Sequence, residues 1–152
     1  VRLDIDKPGV LQVMLTGVEG QDLVLEVEDG GGTVIARSDR GGIRVKEGIP
    51  NLGVTAGRYT LVVRAAPKKK PARSSRRGRA PEPEPPPAAV YELTAQMIPP
   101  AKALEIEPDD DRGTANDLIV GDAVTGFVGW NGDADEWKLS VETLSEKNAI
   151  DV

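Results

Sequence analysis

Val1, Leu3 and Ile5 alternate with Arg2, Asp4 and Asp6, and after Lys7-Pro8-Gly9 the alternation resumes with Leu11, Val13 and Leu15 opposite Gln12, Met14 and Thr16. Successive side chains of an extended chain point to opposite faces, so this pattern predicts two short strands joined by a tight turn. Leu23, Leu25 and Val27 oppose Glu26 and Glu28 up to Asp29-Gly30-Gly31-Gly32, which predicts a strand, a hairpin turn and a return through Thr33-Val34-Ile35-Ala36. Asp39-Arg40-Gly41-Gly42 is a second turn, and residues 43–51 carry no clear period. Tyr59, Leu61 and Val63 share a face, as do Tyr91, Leu93, Ala95 and Met97, and Ile98-Pro99-Pro100 ends that last strand. On this reading residues 67–89 interrupt a hairpin. Residues 118–120 and 124–130 are further candidate strands with Gly121-Asp122 as the turn between them, and an alternating strand runs through Trp137, Leu139 and Val141.

The expected fold is all-β, an antiparallel, jelly-roll-like β-sandwich of about 100 ordered residues. Composition agrees: of 152 residues 39% are hydrophobic but only 3% aromatic, so a modest core must be built from Val, Leu and Ile in strands. The chain has no cysteine and no histidine, which removes disulfides, thiol catalysis, the Ser-His-Asp triad and most zinc or iron sites. No nucleophile motif appears, and the expectation is a protein that is not an enzyme. No apolar run is long enough to cross a bilayer, so the segment is expected not to be transmembrane.

Charge divides the chain. Residues 67–89 hold seven basic and two acidic residues, giving +5 and leaving −11 for the rest of a chain whose total is −6. An acidic body repels phosphate backbones, which argues against nucleic acid as a partner. The 67–89 tract has seven of the twelve prolines and almost no apolar side chain, so it reads as a flexible basic, Pro-rich loop or linker. A basic tract contacting an anionic polymer or membrane surface is the alternative, and the neighbouring Glu-Pro repeats weaken it.

Two sets of residues resemble the bacterial pre-peptidase C-terminal domain, a small secreted β-sandwich often appended to extracellular hydrolases. Glu107-Pro108-Asp109-Asp110 is similar to that family's E-P-N-D type opening, with Asp where Asn is usual, and Gly132-Asp133-Ala134-Asp135-Glu136-Trp137 to its G-D-x-D turn and aromatic strand. Asp22-Leu23-Val24-Leu25 with Asp29-Gly30, and the run from Ala56-Gly57-Arg58-Tyr59 to Val63, are similar to its later strands. The resemblance is permuted: residues 1–66 with 90–98 correspond to the later strands of one such domain and 104–152 to the first strands of a next one.

The chain ends also match each other. Lys138-Leu139-Ser140-Val141-Glu142 repeats the residue types of Arg2-Leu3-Asp4-Ile5-Asp6, and Ile150-Asp151-Val152 matches Leu11-Gln12-Val13. Three arrangements follow: a fragment of a tandem array, one closed and permuted sandwich in which residues 104–142 supply missing strands, or subunits that complete one another head to tail by strand exchange.

The acidic stretch Glu105, Glu107, Asp109, Asp110, Asp111 is the strongest candidate site. Calcium takes roughly six to eight hard oxygen ligands. Glu107, Asp109 and Asp111 converge with Asp133 and Asp135 if the two turns lie at one end of a sandwich, and the family resemblance implies calcium near such an opening. A solvated acidic turn is the plain alternative. Asn131, Asp133, Asp135 and Glu142 only superficially echo an EF-hand, since Glu136 stands where the loop needs Gly. Paired carboxylates serve glycoside hydrolysis only in a cleft that raises one pKa, and five aromatic residues are few for lining one.

The expected function is a non-catalytic accessory or binding module for a matrix, polymer or companion domain. The alternative is a structural repeat unit of a cell-surface or filamentous assembly joined by strand exchange. Its partners would be a neighbouring domain or subunit of the same kind, or an extracellular polymer or protein. The resemblance implies a secreted, cell-surface or periplasmic location.

Overall fold

The computed structural model describes residues 1–66 and 88–139. The basic tract, apart from its last two residues, and the second part of the end-to-end match, residues 140–152, lie outside the described residues. Nine strands form among the described residues: β1 (Arg2–Ile5), β2 (Gly9–Leu15), β3 (Leu23–Glu28), β4 (Val34–Ser38), β5 (Glu47–Val54), β6 (Gly57–Ala65), β7 (Leu93–Ile98), β8 (Asn116–Leu118) and β9 (Trp137–Leu139). The described residues contain no helix, and therefore none that is long and apolar enough to cross a membrane.

Two antiparallel sheets share one core. The first has the order β1-β6-β3-β4 and the second β5-β2-β7. Leu11, Val13 and Leu15 of β2 face Leu23, Leu25 and Val27 of β3, joined by Ile49, Leu52 and Val54 of β5 and by Tyr59 and Leu61 of β6. Along β2, β3 and β6 the alternation in the sequence is thus the inward face, and fully burying each Leu or Val contributes about 1.5–3 kcal/mol. Along β7 it is not, since only Leu93 packs on the core while Ala95 and Met97, like Tyr91 before the strand, are exposed. The fold is all-β and sandwich-like.

Connections differ from those expected at four places. β1 and β2 are not a hairpin: β1 pairs with β6 in one sheet while β2 pairs with β5 and β7 in the other, so Lys7-Pro8 carries the chain from sheet to sheet. The tract after β6 does not interrupt a hairpin either, because β7 pairs with β2 along its full length, from Val10↔Ile98 to Leu15↔Leu93. Residues 43–51, without a legible period, contain most of β5. Residues 124–130 form no ladder strand: their one bridge is Thr125 with Leu104, and β8 pairs instead with β9, in parallel, from Asn116↔Trp137 to Leu118↔Leu139. Ile119, Val120 and Val128, expected inside strands, are all exposed. The β3–β4 hairpin is as expected. Asp29 Oδ1 accepts from the amides of Gly31 and Thr33 at 2.9 Å, and Gly32 takes a φ of 84° that other residues adopt at a cost.

Two polar devices lie in or beside the core. Glu47, 1% exposed, accepts from Ser38 Oγ at 2.6 Å and from the Arg40 amide at 3.1 Å, tying the β4–β5 loop to the sheet. The Tyr59 hydroxyl donates to the Thr55 carbonyl and accepts from the Thr55 amide, each at 3.1 Å, pinning the β5–β6 turn. Tyr59→Phe keeps the buried ring and removes both bonds. We expect it to cost about 1–2 kcal/mol in urea unfolding with no change in the denaturant slope.

The third segment, residues 101–139, attaches to the outer edge of β5. Glu107 N donates to Asn51 O at 3.0 Å and Gly53 N donates to Glu107 O at 2.7 Å, so residues 105–107 lie beside β5 as a short parallel neighbour. Asp39 N donates to Gly129 O at 2.9 Å, and the Arg37 guanidinium sits 6.0 Å from the Trp130 ring centre, a second attachment at β4.

Candidate metal centre

Glu105, Glu107 and Asp109 are spaced by two in the stretch whose residues 105–107 run beside β5, and their carboxylates converge. The chain returns after the Asn131–Asp135 turn, in which Gly132 has a φ of 111° and Asp133 N donates to Trp130 O at 3.3 Å. Glu136 N then donates to Asp109 O at 3.2 Å, which sets Asp135 beside Asp109. One oxygen from each of Glu105, Glu107, Asp109 and Asp135 lies within 4.8 Å of the others. This acidic cluster could hold a metal ion.

Its floor is closed. Glu105 is 0% exposed and Asp109 1%. Glu105 Oε2 accepts from Phe127 N at 2.7 Å and Oε1 from Asn51 Nδ2 at 3.1 Å. Asn116 grips the Ile106 backbone with both ends of its amide, accepting from N at 3.0 Å and donating to O at 3.1 Å, and also donates to Asp109 Oδ2 at 2.7 Å. Asp109 Oδ1 and Asp135 Oδ1, in contrast, are buried without a donor. A side chain cannot approach from the Gly126 side: a Cβ there would lie 2.4 Å from Glu105 Oε2 and 3.1 Å from Asp135 Oδ2.

Among the described residues no lysine or arginine pairs with any of the four carboxylates. The described ion pairs engage Glu26, Asp39, Glu47, Glu19, Asp4 and Asp117 instead. Like charges in a desolvated place hold protons. Burial, and then the Asp109 charge and a hydrogen bond that the protonated carboxyl makes to Asp109, with Asp133 and Glu105 adding to them, push the Glu107 carboxyl up to about 8. Burial also raises Glu105, against the Phe127 amide that lowers it, and raises Asp135, with Asp109 and Asp133 adding to the effect.

Of the five residues expected from sequence, Glu107, Asp109 and Asp135 come together. Asp111 does not join them: it is exposed, and its Oδ1 accepts from the amides of Gly113 at 2.7 Å and Thr114 at 3.1 Å, closing its own turn. Asp133 is turned toward Gly129, accepting from its amide at 2.5 Å, and lines an adjacent cleft with Glu107 and Asp110. Asp110 is raised by burial and then by Asp133. The cleft, between β4, β5 and the Trp130 loop, holds about 70 Å³, far below the ~300 Å³ typical of sites for organic ligands. Glu105 is the fourth ligand candidate that the expected set lacks. Its even spacing from Glu107 and Asp109 was the available signal.

No family model, no curated protein and no solved structure matches the chain.

Proposed function

We propose that this chain is a non-catalytic β-sandwich module, accessory to the domain or assembly that carries it, and that its acidic cluster is a calcium site. The observation that carries the metal reading is Asp109, a member of the cluster 1% exposed, whose Oδ1 is buried with neither a hydrogen-bond donor nor a cationic side chain to meet it among the described residues. A divalent ion supplies the missing counter-charge. Calcium suits the set best, because all four donors are hard carboxylate oxygens and the chain has neither a cysteine thiolate nor an imidazole to offer. The pre-peptidase C-terminal resemblance supports the same reading: its two later motifs become β3 and β6, neighbours in one sheet, and its acidic opening and G-D-x-D turn supply Asp109 and Asp135. A secreted or cell-surface setting, where calcium is abundant, belongs to this proposal.

Calcium should raise the melting temperature relative to the chelated protein. A ligand bound only by the folded state stabilises it by about 2.7 kcal/mol at a hundred times its dissociation constant. We expect a shift of several degrees that saturates at millimolar calcium and is not reproduced by sodium at equal ionic strength. A melting curve unmoved by millimolar calcium overturns the metal reading.

A second reading, strand exchange in a structural assembly, has its own support. β7 is an edge strand with Thr94, Ala95, Gln96 and Met97 all exposed, and β1 is the edge of the facing sheet. An open side of this kind takes an added strand from a like subunit. Light scattering against concentration tests it: a ladder of sizes supports exchange, and a single monomer size at every concentration rejects it.

A further inference from the structure

We infer that the cation site gates the outer edge of β5: with the ion bound, residues 105–107 cover that edge, and with it removed they release it. The inference rests on the metal reading above and extends it from binding to control. All four carboxylates belong to the 101–139 segment and none to the sandwich. The ion therefore ties the segment to itself, joining 105, 107 and 109 to 135, and so fixes the strand that is offered to β5.

The seam between segment and sheet is narrow. Along β5 it consists of the Asn51 and Gly53 backbone bonds to Glu107 and the Asn51 side chain, whose Nδ2 donates to Glu105 O at 3.2 Å as well as to Oε1. Asn51, itself 1% exposed, thus reads the ligand residue Glu105 directly from the sheet. Gly53 is what lets the seam close: a Cβ there would lie 2.7 Å from Ile106 Cγ2 and 3.1 Å from Glu107 O. The stretch leading to the segment, Pro99-Pro100-Ala101-Lys102-Ala103, is exposed throughout, so it places no packing in the way of release.

Without an ion, nothing bridges Asp135 to residues 105–109, and the crowded acidic groups confined between β5 and the 125–127 backbone are relieved by moving apart. That motion removes the support of the 105–107 strand. The β5 edge then presents the Gly53 amide and the Asn51 carbonyl unpaired.

Coupling of this kind is reciprocal, so it is tested from both sides. In hydrogen exchange on the full chain, calcium should slow the Gly53 amide at least tenfold relative to chelator, while amides in the β2–β7 ladder change little. Conversely, Gly53→Val wedges the seam without altering a ligand and should weaken calcium binding, measured by calorimetry, at least tenfold. Calcium that binds wild type while leaving Gly53 exchange unchanged overturns the gate and leaves the metal reading standing. Absence of calcium binding to wild type overturns both. Because the exchange measurement uses wild type, a Gly53→Val variant that fails to fold does not rescue the inference.

Discussion

Gly126→Ala is expected to abolish the response to calcium while leaving the two-sheet core intact. The added methyl would sit 2.4 Å from Glu105 Oε2, and that oxygen cannot retreat, because Phe127 N holds it at 2.7 Å and Asn51 holds the other oxygen of the same carboxylate. The same methyl stands 3.1 Å from Asp135 Oδ2, so it occupies the side from which two of the four ligands face the ion. Gly126 is not in the left-handed region, so the substitution acts through space alone. Affinity should fall about a hundredfold or more, comparable to losing ligand orientation at other metal sites. Calorimetry at millimolar calcium checks this. As a control, Gly121→Ala, at a φ of 94° with open space around it, should cost about 1 kcal/mol of stability and leave calcium binding unchanged. Binding by Gly126→Ala at wild-type affinity would place the ion elsewhere.

The strands that were legible in the sequence are those whose large apolar residues recur at every second position, even where, as at Val24 and Glu26 of β3, the opposite face is buried as well. β2, β3 and β6 alternate because Leu11-Val13-Leu15, Leu23-Leu25-Val27 and Tyr59-Leu61 look inward, and the alternation names most of the core. β5 was not legible for a physical reason. It is covered on its outer edge by residues 105–107, and its polar residues Glu47 and Asn51 are buried because Ser38 and Glu105 meet them, so neither hydrophobicity nor polarity alternates. Sheet membership was not legible either: a tight Lys7-Pro8-Gly9 turn reads as a hairpin, yet β1 and β2 belong to different sheets, a choice made by long-range pairing with β6 and β7. At the site, composition pointed to the acidic stretch but not to the members. The period of two selects Glu105, Glu107 and Asp109, and ends there because Asp111 closes its own turn with Gly113 and Thr114. Asp135 depended on where a second loop returns. Asp110 lies one residue out of phase with Asp109, Asp133 is held by the Gly129 amide although it is in phase with Asp135, and both line the neighbouring cleft instead.

The stability of the chelated protein should fall as pH rises from about 5 to 8, opposite to the usual behaviour of a protein whose carboxylates are salt-bridged. The sign follows from the direction of the shifts. Glu107 is raised from 4.5 to about 8, so through that interval the folded protein holds a proton that the unfolded chain has released. Stability rises with pH only where the unfolded state binds more protons; here the folded state binds more, and stability is lost. The contribution is fully present below about 4.5 and gone above about 8. Glu105, Asp110 and Asp135, raised mainly by burial, act in the same direction. Glu107 is only half-buried and water screens part of its cost, so about 2 kcal/mol is expected for it, enough to lower the melting temperature by several degrees between pH 5 and pH 8. Calcium reverses the trend. The ion needs these carboxylates ionised and displaces the Glu107 proton, so its affinity should climb toward pH 8, and the gap between calcium-loaded and chelated melting temperatures should widen as pH increases. Glu107→Gln separates the causes: it removes the share of the proton-linked slope that Glu107 carries in chelator by keeping that position neutral at every pH, and it removes a ligand in calcium. Parallel melting curves with and without calcium across pH 5 to 8, or a chelated protein that grows more stable with pH, would show that these four carboxylates are neither crowded nor awaiting an ion.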